Sequence, residues 1–269
     1  MSDFDTITYP KDSSSIFIRL LPVIVLIVII VSQYLAVKHN FDGIALTEAG
    51  NYEEAITEYN KAIKLCPFKA SFYNNRGYTY FLKATKNYGH IFHGNTGLNE
   101  ALADVNKAIK LKPNFADAYI NRGLVTRSKG GHENYTGSFT DFDRAIELDP
   151  DNYKAYFVRG ETYFGINDYD KAITDFDTVL NLMPNYTYAY YWRGLCYSKK
   201  GDLDKAIADY TKVIELDSNS ASAYNNRGFL YAQKGEKDKA ISDLEKYIFL
   251  EKEKPVIWAE EKLEELKSQ

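Results

Sequence analysis

With 33 Lys and Arg against 37 Asp and Glu over 269 residues, the chain carries a formal charge of -4. That balance leaves no dominant basic surface and argues against nucleic acid as a ligand. The 23 Tyr and 15 Phe are many for this length, and the patterning has to explain how they are covered.

Residues 1–19 form a short polar tail without periodicity. Then Leu20 to Val37, LLPVIVLIVIIVSQYLAV, is free of charge. At ~1.5 Å rise per residue such a helix covers ~27 Å, close to the hydrocarbon core of a bilayer. Pro22 suits a first helical turn and Tyr34 suits an interface, so 20–37 is expected to be one transmembrane helix. A cleaved signal peptide would want small residues before the cut, whereas Tyr34-Leu35-Ala36 offers a bulky one. A buried soluble helix fits poorly because the run is apolar all round. Lys11 and Arg19 before the span and Lys38 after it tilt the orientation toward a cytoplasmic N-terminus; one charge leaves open which side carries the rest.

From residue 36 onward the chain matches itself at a 34-residue step. Gly160, Gly194 and Gly228 recur at that interval, as do Ala172, Ala206 and Ala240, and Tyr156, Tyr190 and Tyr224. Gly43, Gly77 and Gly123 take the same role earlier, with residues inserted between. In the copy 187–220, one aromatic-rich helical pattern ends at Gly201. A second follows, with Leu203, Ala206, Ile207, Tyr210, Val213 and Ile214 on one side. Neither helix hides its apolar stripe alone, so the hairpins must stack.

These residues resemble the tetratricopeptide repeat (TPR) family, whose pattern has Gly at position 8, Ala at 20 and Pro at 32. Position 20 reads Ala55, Ala101, Ser138, Ala172, Ala206 and Ala240, and position 32 reads Pro67, Pro113, Pro150 and Pro184, then Ser218 and Lys252. Six units follow: 36–69, 70–115, 116–152, 153–186, 187–220 and 221–254. The resemblance implies an all-α fold, a right-handed α-solenoid of stacked hairpins over 38–254. Small residues at 8 and 20 let the two helices of a unit approach, and Pro at 32 stops the second.

Position 7 is Arg76, Arg122, Arg159, Arg193 and Arg227, and position 23 is Asp104, Asp141, Asp175, Asp209 and Asp243; the first unit has Asp42 and Glu58 instead. An Arg–carboxylate ladder is expected, within units or across neighbours. The second unit is long near 85–97 and the third near 130–138. Read as neighbouring loops, these hold His90, His93 and His132; a partner contact is favoured over a metal site, so none is assigned. Asn134 and Asn185 head Asn-x-Thr acceptor patterns. Cys66 and Cys196 fall in different units, too far apart along a stack for a disulfide, and read as free buried thiols. Residues 255–269 continue the first-helix pattern with added charge, as a capping helix requires.

No Gly-rich phosphate loop and no Cys-x-x-Cys pair occurs, and no Ser or Cys has a His partner outside the two long loops. No catalytic residue, cofactor or small-molecule substrate is therefore expected. The family resemblance implies instead a protein- or peptide-binding groove lined by first-helix positions 2, 5, 9, 12 and 13. Here these include Asn74, Tyr78, Phe81, Ile120, Leu124, Phe157, Phe164, Tyr188, Tyr191, Leu195, Asn225 and Phe229, with Arg127, Glu161 and Lys199 scattered among them. A chaperone-tail-binding subset of the family has Lys and Asn where the first unit has Asn40 and Ile44, so that role does not carry over. The expectation is a membrane-anchored scaffold, with a structural subunit of a membrane complex or a receptor for precursor proteins as alternatives.

Overall fold

The computed structural model describes residues 13–86, 96–130, 132–251 and 256–268, and the side chains within these except 13–19, 96 and 132–134. Among the described residues there are thirteen helices and no strand. The chain divides into two compact units, residues 1–113 and 114–269.

The first unit holds α1 (Ser13–Glu48), α2 (Tyr52–Leu65), α3 (Ala70–Thr85) and α4 (Thr96–Leu111); α1 pairs with α2, α3 with α4, and α2 packs on α3. Helix α1 is 36 residues long, so the apolar stretch runs without interruption into the first hairpin. Because α1 starts at Ser13, Pro22 lies inside the helix rather than in its first turn. The large apolar side chains from Leu20 to Val31 are 47% to 57% exposed. Among the described side chains of α1, Ala36 is the first that is fully buried, set against Ala62 and Phe72.

The second unit holds α5 (Ala116–Ser128), α6 (His132–Leu148), α7 (Tyr153–Gly165), α8 (Tyr169–Leu182), α9 (Thr187–Lys200), α10 (Leu203–Leu216), α11 (Ala221–Gln233), α12 (Lys237–Leu250) and α13 (Ile257–Ser268). Consecutive helices pair as α5·α6, α7·α8, α9·α10 and α11·α12, each hairpin packs on the next, and α13 covers α12. Where a loop is expected at 130–138, α6 already begins at His132. It is 17 residues long against 14 for α8, α10 and α12. The extra residues lengthen a helix, because Ser138 is fully buried and holds that stretch against the hairpin.

The hairpin packing follows from the small residues. Ala55, Ala101, Ala172, Ala206 and Ala240 all have no exposed surface. Opposite them, a Cβ built on Gly43 would sit 2.7 Å from the Tyr59 ring and one on Gly160 2.9 Å from the Phe176 ring. Each of these two glycines is thus the seat of a buried aromatic. Gly201 ends α9 in the left-handed region, at φ 80°, which only glycine adopts without strain. Asp202 then caps α10 by accepting from the Lys205 backbone N–H at 3.4 Å.

Candidate functional site

The Arg ladder lies within the hairpins. In the second unit Arg159 Nη2 and Nε donate to Asp175 at 2.7 and 2.9 Å, Arg193 to Asp209 at 2.6 and 2.9 Å, and Arg227 to Asp243 at 2.8 and 2.7 Å. Arg122 forks onto Asp141 in the same way, and in the first unit Arg76 onto Asp104. The remaining Nη1 reaches back one hairpin, from Arg159 to Asp143 at 2.6 Å, from Arg193 to Asp177 at 2.5 Å and from Arg227 to Thr211 at 2.9 Å. Each guanidinium also lies over the tyrosine one helical turn before it, 5.3 to 5.8 Å from the ring centre. Burial opposes the charge on Arg193, but Asp209 and Asp177 outweigh it and raise its pKa. In Arg159, Arg193 and Arg227 every prong of the fork is used inside the fold, so the ladder is structural.

The first hairpin replaces that triad. At the Tyr, Arg and Asp positions stand His39, Asp42 and Glu58, with His39 Nδ1 2.6 Å from Glu58 Oε2. Among the described residues this is one group of three whose ligand atoms could hold a metal ion. Lys61 pairs with Glu58 at 2.6 Å and Lys38 with Asp42 at 3.4 Å. Both carboxylates thus already face a lysine within the first hairpin. His90 and His93, and the His132 side chain, lie outside what is described. Cys196 is buried, and burial pushes its thiol up to about 12, so at neutral pH it is an unreactive packing residue.

The expected groove residues fall into three groups. Asn74 and Ile120 are 5% exposed; they support neighbouring residues and offer no surface. Leu124, Phe157, Phe164, Tyr191 and Leu195 are half-buried and lean on the hairpin cores: Phe157 on Phe176 at 5.9 Å, Tyr191 on Tyr210 at 5.8 Å, Phe164 edge-on to Trp192 at 5.2 Å. Asn225 is also half-buried, and its Oδ1 has no hydrogen-bond partner. Tyr188 at 65% and Phe229 at 47% are truly exposed. In the first unit Tyr78 is 37% exposed and stacks on half-buried Phe81 at 6.1 Å.

Two features of this face are not apparent from register alone. Tyr186, in the turn before α9, is the hub of the aromatic patch: its ring meets Tyr153 and Phe157 at 5.2 Å and Tyr188 at 5.8 Å. Burial, then Tyr153 and Glu161, push its hydroxyl up to about 12. Its place in a turn hides it from a helix-position rule; its aromatic character directly after Pro184-Asn185 is the available signal. Second, Arg127 and Glu161 are not scattered. Arg127 Nη1 lies 3.5 Å from Glu161 Oε2 and donates to Thr162 Oγ1 at 3.1 Å. Burial raises the Glu161 carboxyl above its usual range, with Arg127 opposing. The patch therefore presents rings around a partly desolvated ion pair, which suits capture of a side chain with an apolar stem and a polar end.

Comparison with known proteins agrees with this architecture. The family described as TPR repeat matches residues 43–83, 160–201 and 196–235, and the description Tetratricopeptide repeat matches 142–174 and 221–253; together these span more than half of the chain. No match emerged among curated protein sequences. Among solved structures, MamA is 25% identical over 61% of this chain and 98% of its own, with a TM-score of 0.54. YrrB, described as a TPR protein with an unusual peptide-binding site, is 27% identical over 72% of this chain and 92% of its own, with a TM-score of 0.53. PilF of Pseudomonas aeruginosa shares the fold at a TM-score of 0.69 and 15% identity, over 88% of this chain and 98% of its own. With the period, the hairpins and the matched segments in agreement, the chain is a member of the tetratricopeptide repeat family.

Proposed function

We propose that this protein is a membrane-anchored scaffold that holds a partner protein or peptide on the first-helix face of its second unit. The observation that carries the reading is the pair of exposed aromatics, Tyr188 and Phe229, continuous in register with the half-buried rings of Phe157, Tyr186 and Tyr191 and flanked by the Arg127–Glu161 pair. Large rings left open on an otherwise covered face are the usual anchors of a protein interface. Support for the anchor comes from one helix among the described residues, Leu20–Glu48, that is long and apolar enough to cross a bilayer. That YrrB is described as having a peptide-binding site supports peptide recognition as the mode.

Tyr188→Ala with Phe229→Ala is the test, because neither ring is needed to fill a core. Affinity capture in mild detergent is expected to recover partners with the wild type. With the double variant they are lost, at about 2 kcal/mol or more per anchor, while the melting temperature is unchanged. Partners retained in full would sink the groove reading. Retention would favour a structural subunit, whose contact would be the exposed end formed by Phe249, Ile257 and Trp258. Resistance of the intact chain to carbonate extraction from membranes tests the anchor.

A further inference from the structure

We propose that the turn between α2 and α3, residues 66–69, is a second membrane contact in which the Phe68 ring enters the lipid interface beside α1. The inference rests on the anchored reading above and adds to it a specific site.

Position in the fold is the first argument. Helix α1 passes from the apolar stretch into the first hairpin as one helix, so the residues after Val37 are fixed relative to those before it. Helix α2 returns alongside it: Gly43 meets Tyr59, and further back Ala36 meets Ala62, with Leu65 and Cys66 packed on that same cluster. The far end of α2, and the turn that follows, thus lies level with Ala36, at the end of the apolar run Leu20–Val37. Phe68 comes two residues after Cys66.

Chemistry at the turn is the second. Phe68 is 84% exposed, more than any other large apolar side chain described. The turn holds it in place, with the Tyr73 hydroxyl donating to the Pro67 carbonyl at 3.1 Å and the Phe72 N–H to the Lys69 carbonyl at 3.1 Å. The same turn position in the other five units is Asn114, Asp151, Asn185, Asn219 and Glu253. After a proline, Asn or Asp is what turn geometry favours. An aromatic stands there once, in the turn nearest the apolar helix. Lys64 and Lys69 flank it and are exposed, and Tyr34 on α1 is 68% exposed. Aromatic rings at the headgroup level with lysines reaching the phosphates are what an interface selects.

The experiment uses the full chain in lipid vesicles, with Trp192→Phe and Trp258→Phe removing the native fluorophores. Phe68→Trp reports the turn, and Val28→Trp in the same background reports the anchor. Phospholipid brominated near the carbonyl end of its acyl chains is expected to quench position 68, with a blue shift of the remaining emission, and phospholipid brominated near the chain ends to quench position 28 at the centre of the span. Quenching at position 28 with none at 68 overturns the inference while leaving the anchor intact. A blue shift at 68 without quenching also overturns it, since protein rather than lipid would then cover the ring. Absence of quenching at both positions removes the anchored reading and this contact with it.

Discussion

At the scale of single residues, the fold is decided by where a methyl group does not fit. A Cβ on Gly123 would overlap the ring of Phe142, which is itself completely buried and has nowhere to go. Gly123→Ala is therefore expected to lower stability by about 1–3 kcal/mol, more than the ~1 kcal/mol that alanine gains in a helix. Gly165, at the end of α7, has open space around it, and the same substitution there should be neutral or stabilising. Thermal melts of the two variants check the contrast; equal effects would remove the steric account. Glu161 gives a second prediction. Its folded pKa is raised above its ordinary value of 4.5 by burial, so the folded state holds that proton more tightly than the unfolded chain. Its contribution is then present below 4.5 and lost as pH rises through the raised value. Glu161→Gln should flatten that part of the stability–pH curve between pH 4.5 and neutrality, measured as the difference in melting temperature between variant and wild type. An unchanged slope would show that Arg127 fully offsets the burial.

At the scale of helices, the Arg ladder ties the two arms of the hairpins that carry it and, through the third prong of Arg159, Arg193 and Arg227, three hairpins of the second unit to the ones before them. Arg193→Met keeps the aliphatic stem but leaves Asp209 buried at 5% exposure with no cation. Breaking a buried pair from one side costs about 3–5 kcal/mol, and a corresponding fall in melting temperature is expected. Asp209→Asn combined with it should recover part of the loss, because the uncompensated charge goes; no recovery would mean that lost packing dominates. The helices themselves were readable because the Gly and Ala positions recur at one interval, and the ladder because Arg and Asp recur with them. Two boundaries were misread for physical reasons. The Gly, Asn and His around 130–138 have the composition of a turn, yet burial of Ser138 and Phe142 draws the segment into α6. Pro22 looked like a first-turn residue because the apolar run begins there, while the helix starts nine residues earlier, at Ser13.

At the scale of the molecule, family and architecture follow from the sequence more fully than the proposed binding face does. Register places Asn74 and Ile120 on the same face as Tyr188 and Phe229, but only packing against neighbouring helices decides which of them meets solvent. Tyr186 belongs to a turn and has no helical register at all, although it holds the aromatic patch together. Arg127 and Glu161 are 34 positions apart, one repeat, and become partners only because consecutive hairpins lie side by side.

The unbroken α1 has a mechanical meaning. From Val23 to Glu48 it spans about 39 Å at 1.5 Å per residue, with no glycine linker or loop to act as a swivel between its greasy portion and the first hairpin. Tipping one end by ten degrees would carry the other sideways by about 7 Å. On the proposed anchored reading the first hairpin is thus held at a set height and heading, and thickness or strain in the lipid around Leu20–Val37 would be felt there as displacement.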